Sequence, residues 1–468
     1  MLKAWLRGLN GTDPRLCGAV RDALGAELQV ADDAPLGIVV GDRPDAATLR
    51  QIRALAARAR MMYLSGPDLR LDADQKWRLL SAGAADILDW PHDGRLAARI
   101  IPRMTRWAEI ETLLASDQVR GRLVGESPAW QQVLREAVEI AAFSQGRILL
   151  TGETGTGKEQ IAGVVHALDR RPRKAELVVV DCTTLSRELM GSELFGHEKG
   201  AFTGAINGRD GAIALAHRGT LFLDEIGELE PSLQAQLLRV IQERNFKRVG
   251  SNVWQTADFR LICATNRDLD AEVTKGRFRA DLYYRISDHI VHLPPLRERR
   301  EDIPMLLQHF WRSADPPGFM PTLDPALLDF LARRDYPGNV RDLRRIVMAL
   351  QSRHAGGDMV SIGALPEYER PIPILGDHEH TEGGSVQAIP PPASGDPLEH
   401  PGFLDAIRQS LAHGAGLKDI GRAATSVAIR IAVEQEGGNL RRAAERLGIT
   451  DRALQMRRAN GEAFSAPV

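Results

Sequence analysis

The chain has 468 residues, with 60 Lys plus Arg against 62 Asp plus Glu and 43% hydrophobic residues. That length accommodates about three domains of ~100–200 residues each, and no apolar run reaches the ~18 residues of a membrane helix, so a soluble protein with no membrane partner is expected. Cys17, Cys182 and Cys263 are widely separated and match neither a disulfide framework nor a zinc spacing, which points to structural thiols in a reducing cytoplasm. The opening "MLKAWLRGLNGTD" has no sustained apolar stretch after its basic residues, so a secretory signal is not expected.

In chain order, residues 1–103 alternate short apolar segments such as "LGIVVGD" with Ala-rich helical stretches such as "DAATLRQIRALAARA", a βα pattern that predicts a parallel sheet. A helical connector occupies 104–122. A long αβ segment follows from Leu123 and turns helical in its last third, to about Leu365. Residues 366–402 are rich in Pro, Gly and acidic residues, as in a flexible linker. Its "DHEH" reads as solvated charge more readily than as a metal site. Residues 403–460 read as helices, and Leu417 to Asn460 carry nine Lys or Arg against five Asp or Glu, an excess that suits a polyanionic partner.

The chemistry concentrates in the middle segment. "RILLTGETGTGKE" is a strand, a glycine-rich turn and the start of a helix. Gly152, Glu153, Thr154, Gly155, Thr156, Gly157 and Lys158 form a phosphate loop: the glycines let backbone N–H groups face an anion, and Lys158 adds positive charge. Glu159 stands where the general motif has Ser or Thr to hold magnesium, so another carboxylate must serve. "GTLFLDEIGEL" supplies it: Asp224 is placed to hold the metal through water, and Glu225 to activate the attacking water. Thr265 and Asn266, after the buried run of "FRLICATNRDL", are candidate sensors of the terminal phosphate. Arg279, Arg285 and Arg341 are cations where a ring ATPase would need them.

Taken in order, "GETGTGKE", "SELFGHEKGAFTGA", "GTLFLDEIGEL", "RLICATNRDL", "FRADLYYRI", "LPPLRERREDIP" and "YPGNVRDL" resemble the AAA+ core of bacterial enhancer-binding proteins, the activators of sigma-54 RNA polymerase. The resemblance runs from "LVGESPAW" to "QSRHAGG". It implies ATP and Mg2+ as ligands, a ring built up from dimers to a hexamer, and sigma-54 polymerase and enhancer DNA as partners. Gly200, Ala201, Phe202, Thr203, Gly204 and Ala205 match the loop tip that touches the sigma factor. The glycines permit the backbone to refold, and Phe202 offers aromatic area to bury on a partner. In the same family Glu159 is ordinary, Arg279 and Arg285 reach the neighbouring subunit's nucleotide, and Arg341 is a second sensor. Asp181 stands where many relatives have the Asn that restrains the catalytic glutamate. Two close carboxylates do not both ionise cheaply, so the coupling of Asp181 to Glu225 should be weaker or pH-dependent.

"AVEQEGGNLRRAAERLGITDRALQMRRAN" reads as two helices about a Gly-containing turn and resembles the Fis-type helix-turn-helix. Arg452, Gln455 and Arg457 are candidates for base contacts, Arg441 and Arg442 for phosphates, and Thr450 for the second helix cap. Asp451 and Arg458 depart from the family pattern. The N-terminal segment resembles a receiver domain that has lost its acidic pair, with Asp89-Trp90 in place of a lysine, Asp42 as a remnant phosphoacceptor and Ser65 as a remnant switch hydroxyl. The expected class is a multidomain α/β chain: a degenerate receiver-like α/β domain at 1–103, a linker at 104–122, an AAA+ P-loop αβα subdomain at 123–292 with a helical lid at 293–365, a linker at 366–402, and an all-α helix-turn-helix at 403–460. Activation through a different polymerase and protein unfolding without DNA are competing readings. The intact "GAFTGA" speaks against the first and the basic C-terminus against the second.

Overall fold

The computed structural model describes residues 2–9, 12–41, 44–91, 93–171, 175–183, 187–313 and 321–370, with part of 424–447. Two compact units result, Met1–Ile372 and Pro373–Val468. The first begins with β1 (Leu2–Gly8), α1 (Pro14–Leu24), β2 (Leu28–Val30), β3 (Leu36–Gly41), α2 (Ala46–Ala56), β4 (Arg60–Ser65), α3 (Ala73–Ser81), β5 (Asp86–Leu88) and α4 (Leu96–Leu114). Every pairing is parallel, and the strand order is β2-β1-β3-β4-β5, the flavodoxin-like order of doubly wound sheets.

One crossover departs from the expected regular alternation. β2 and β3 lie on opposite sides of β1, yet residues 31–35 join them without a helix. Parallel crossovers ordinarily need about a dozen residues or more. Trp5 covers part of this face: its side chain is buried and lies against Gly37, where an added Cβ would sit 2.1 Å from the indole. With Ala34, Val39 and Tyr63 it belongs to the cluster on the α2 and α3 side of the sheet.

The expected boundary at residue 103 falls inside α4, which runs through Pro102 without interruption. α4 packs on α1 and also on α6 (Pro128–Phe143), which follows α5 (Asp117–Arg120). One apolar cluster therefore runs from Ala4, Ile38 and Met62 through Met104 and Ile110 to Leu134, Ala137 and Leu150. Polar contacts close the same seam. Glu139 pairs with Arg60 and Arg106 at 3.1 Å each, and the Arg60 guanidinium lies 4.6 Å from the Trp107 ring centre.

The second sheet is built from β6 (Ile148–Thr151), α7 (Lys158–Leu168), β7 (Leu177–Asp181), α8 (Arg187–Phe195), the short pair β8 (Gly196–His197) and β9 (Arg209–Asp210), α9 (Ala212–Leu215), β10 (Thr220–Asp224), α10 (Pro231–Glu243), the pair β11 (Asn245–Phe246) and β12 (Gln255–Thr256), β13 (Arg260–Thr265), α11 (Leu269–Thr274), α12 (Ala280–Ile286) and β14 (His289–His292). The main strands are parallel in the order β14-β6-β13-β10-β7. Central β6, β10 and β13 are almost wholly buried, as expected of strands covered on both faces. Val179 on β7 and Ile290 on β14 remain exposed at the edges. Buried Arg260 donates to the carbonyls of Ile140, Ala141 and Ser144, closing the C-terminus of α6. Each such charged hydrogen bond is worth about 1.5–3 kcal/mol.

A helical layer follows: α13 (Ile303–Arg312), β15 (Thr322–Leu323), α14 (Pro325–Arg333), α15 (Asn339–Arg353) and β16 (Met359–Val360). Its packing continues past residue 365. Glu369 is buried and pairs with Arg334 and Arg345, so 366–370 belong to this layer rather than to the expected linker. In the second unit, Leu440–Arg446 forms helix α16. The Gly37→Ala substitution should weaken the N-terminal sheet by about 1–3 kcal/mol, the usual cost of overpacking, read as faster hydrogen exchange at 2–9 and 36–41. Unchanged exchange there would show that Trp5 is free to move aside.

Candidate functional site

The turn between β6 and α7 takes its shape from three glycines with positive φ: Gly152 (144°), Gly155 (80°) and Gly157 (110°). Lys158 opens α7 and is buried, and its Nζ donates to the carbonyls of Gly152 (2.9 Å) and Glu153 (3.3 Å). The same ammonium lies 3.6 Å from Glu225 Oε1. Glu225 follows β10 in a left-handed conformation, φ 51°, a strain of about 1–3 kcal/mol. Its Oε2 accepts from the Asn266 N–H at 3.0 Å, and Asn266 Nδ2 donates to Thr154 Oγ1 at 3.0 Å. Thr265 is fully buried, and its hydroxyl accepts from Arg267 N. The ends of three adjacent strands thus meet over the glycine-rich turn.

Asp224 and Asp181 are register partners on neighbouring strands. Burial raises the Asp224 carboxyl above the ordinary carboxylate range and Asp181 adds to this, against the pull of Lys158. Asp181 turns toward Thr183, accepting from its N–H (2.8 Å) and hydroxyl (2.7 Å). The raised carboxyl in contact with the Asp181 field is therefore Asp224. Among the described residues no group of three or more His, Cys, Asp or Glu is arranged to hold a metal alone. Magnesium takes one or two carboxylates and completes its shell with phosphate and water, so the half-buried Asp224 carboxylate at the strand edge fits it.

Thr154 to Lys158, Asp181, Asp224, Glu225 and Asn266 line a cleft of about 1360 Å³ that also takes in Glu159, Trp130 and Arg341, whereas Gly152, Glu153 and Thr265 are not among its lining residues. Typical small-ligand pockets span ~300–1,000 Å³, so the cleft is roomy enough for a nucleotide. Arg341 is exposed within it. Arg279 and Arg285 are not among its lining residues. Arg279 is paired with Asp281 through two contacts (3.0 and 2.7 Å). Exposed Arg285 makes no side-chain hydrogen bond or ion pair with the described residues.

The 200–205 segment is a tight surface turn. Gly200 N donates to Ala205 O and Ala205 N to Phe202 O, with Gly200 and Gly204 both at positive φ. Phe202 is 38% exposed and meets His197 edge-on at 5.0 Å, and Thr203 is exposed. Of the C-terminal candidates, Arg441 lies in α16 and Arg442 is exposed there, while Thr450, Arg452, Gln455 and Arg457 lie outside the described residues. Asp42 lies outside them as well. Ser65 is buried with its hydroxyl donating to Leu69 O, and Asp89 pairs with Lys76 at 2.5 Å. All three cysteines are free; Cys182 and Cys263 are buried, and burial pushes the Cys182 thiol up to about 12.

Sequence reasoning assigned no role to four groups that hold the turn. Arg297 grips Glu153 through both oxygens (2.9 and 2.6 Å), and Asn339 Nδ2 reaches Glu153 and Thr154 O, each at 3.1 Å. Arg299 donates to Thr156 O at 2.9 Å and lies 3.8 Å over the Trp130 ring. Asp302 accepts from the N–H groups of Glu126 and Ser127 and so sets the start of α6 and the position of Trp130. The only signals were "LRERREDIP" and "YPGNVRDL" themselves, whose residue types say nothing about partners so far away in the chain.

Residues 123–292 match the sigma-54 interaction domain family, and residues 297–373 match the AAA+ ATPase lid domain family. The chain is similar to the transcriptional regulatory protein ZraR of Salmonella typhimurium, 36% identical over 464 residues, covering 97% of this chain and 94% of that protein. The Escherichia coli protein of the same name is 37% identical over 470 residues, with the same shares covered. The Nif-specific regulatory protein of Herbaspirillum seropedicae is 50% identical over 240 residues, 50% of this chain and 44% of that protein.

Arg297 and Asn339 hold the Glu153 carboxyl down to about 2, from 4.5. A depressed carboxyl stabilises the fold above its unfolded value and loses that contribution as pH falls through the folded one. The gap in melting temperature between the natural chain and Arg297→Leu should therefore be widest above about pH 5 and close as pH approaches 2. The pair is about two-fifths exposed, so solvent screening keeps the gap small. A gap that does not vary with pH would remove the pair from the account of this loop.

Proposed function

The chain belongs to the sigma-54-dependent enhancer-binding activators, and from that premise we propose that it hydrolyses ATP as a ring of subunits and uses the 200–205 loop to remodel the sigma-54 polymerase closed complex. Enhancer DNA is bound through the basic module at 403–460, and the work is done in the cytoplasm. One observation carries the ATPase reading: Lys158, Glu225, Asn266 and Thr154 form a connected set at the mouth of one cleft.

In this reading the N–H groups of 153–157 and Lys158 bind the phosphates, the Gly152 N–H being taken by Thr265 O. Arg341 and Asn266 sense the terminal one, while Thr265 is buried with its hydroxyl held by Arg267 N. Asp224 holds magnesium, which when bound neutralises charge on the phosphate oxygens. Glu225 orients the attacking water and takes its proton, a role for which its hydrogen bond from Asn266 N–H sets the carboxylate direction. A further positive charge is needed where the transition state gains negative charge. Arg279 and Arg285 lie outside their own cleft, and Arg285 is exposed and unpaired among the described residues. A neighbouring subunit supplies them, which makes the ring part of the active site.

The route to the loop starts at Asp181. It sits beside Asp224 at the strand edge, and α8, which begins at Arg187, leads directly into β8 and the Gly200 turn. The exposed part of Phe202, whose ring meets His197 edge-on at 5.0 Å, is then available to a partner. The N-terminal sheet is read as a degenerate receiver that signals by protein contact or small-molecule binding. Its strand order fits, and the Ser65 hydroxyl and Lys76 are engaged within the domain.

Alanine at Phe202 and Thr203 should reduce open-complex formation by sigma-54 polymerase about tenfold or more, the scale of a lost aromatic anchor, while ATP is still hydrolysed. Normal transcription from such a variant would defeat the loop assignment. Arg285→Ala and Lys158→Ala should each lower turnover by about 10³-fold or more. Mixing the two variant proteins should restore part of it, because an intact arginine then meets an intact cleft across a seam. A mixture as inactive as its components would place Arg285 outside the catalytic set.

A further inference from the structure

The glycine-rich turn has three carbonyls whose donors all come from the helical layer more than a hundred residues away. Thr154 O accepts from Asn339 Nδ2 (3.1 Å), Gly155 O from Val340 N (3.0 Å), and Thr156 O from Arg299 Nη2 (2.9 Å). A trans peptide is planar, so its C=O and the following N–H point in opposite directions. Holding those three oxygens toward their donors thus directs the N–H groups of Gly155, Thr156 and Gly157 to the opposite side of the turn; these residues line the cleft, as do Arg299 and Val340.

Both side-chain donors are themselves fixed. Asn339 is fully buried at φ 52°, and its Oδ1 accepts from Leu296 N at 2.7 Å, which commits its amide nitrogen to Thr154 and Glu153. Arg299 is 1% exposed and lies flat over Trp130, and burial lowers its pKa only to about 10, so it remains a cation. At Gly155 the two layers touch backbone to backbone: an added Cβ would stand 2.3 Å from Gly338 O. No flexible group separates the turn from the helical layer.

We propose that Asn339 and Arg299 are positioning residues for the nucleotide's β-phosphate, acting through the Thr154 and Thr156 carbonyls to aim the N–H groups that bind it. The inference rests on the reading of this cleft as a nucleotide site and deepens it. Any displacement of the helical layer then loosens the phosphate nest directly, because the two share hydrogen bonds.

The test compares ADP with AMP, which lacks the β-phosphate, by calorimetric titration of the full chain and two variants. Arg299→Met deletes the donor to Thr156 O. Asn339→Asp combined with Glu153→Gln keeps size and relieves the clash of two carboxylates, yet leaves Thr154 O without its donor. Each should lower the ratio of ADP to AMP affinity about tenfold, the scale of one buried hydrogen bond lost, with AMP affinity kept. An unchanged ratio overturns the proposal. Equal loss of both ligands also overturns it, since that is the signature of general damage to the fold. If the unsubstituted chain binds ADP no better than AMP, the nucleotide reading of the cleft falls, an outcome distinguishable because it needs no variant.

Discussion

A turn that offers its N–H groups to an anion has a problem with its carbonyls. The peptide plane sends them the opposite way, and a buried carbonyl without a donor costs about 1–3 kcal/mol. The short turn at 152–157 meets this partly from within, through Thr156 Oγ1 and Lys158 Nζ. The remaining oxygens are served by Asn339, Val340 and Arg299. The helical layer and the segment leading into it thus supply the donors that the glycine-rich turn lacks.

The same accounting explains the charges around the cleft. Glu153 points away from the catalytic edge into Arg297 and Asn339, so its negative charge is spent there. Asp224, Asp181 and Glu225 remain at the edge with Lys158 as the nearby cation, and burial raises the Asp224 carboxyl, with a smaller push from Asp181. That excess of negative charge is what a divalent cation and an incoming arginine would relieve. Asp181 pairs in register with Asp224 across β7 and β10, while the contacts of the Glu225 carboxylate are with Asn266 N–H and Lys158.

The N-terminal sheet is not a separate body on a tether. α4 contributes to both sheets' cores, and Glu139 on α6 holds Arg60 and Arg106 from the other side of the seam. Apolar burial is worth about 25 cal/mol per Å², and it acts here along the whole of a helix of 19 residues. The two sheets therefore share one continuous apolar core through α4 and α6.

Much of the fold and site was legible in the sequence because the relevant groups are neighbours in the chain. A strand, a glycine turn and a lysine make a phosphate loop within one segment, and a buried run ending in Asp224 and Glu225 delivers both to a sheet edge. The glycines of the 200–205 turn announced its shape, since left-handed φ angles favour them. The N-terminal βα alternation predicted a parallel sheet, but neither the helix-free link at 31–35 nor the seat of Trp5 on Gly37 of the neighbouring strand. Nor did local patterning reveal where α4 ends its service to one core and begins it to another. Tertiary structure alone decided that Arg297, Arg299 and Asn339 belong to the phosphate loop, because a hydrogen bond specifies geometry between two groups and leaves no trace in the sequence between them.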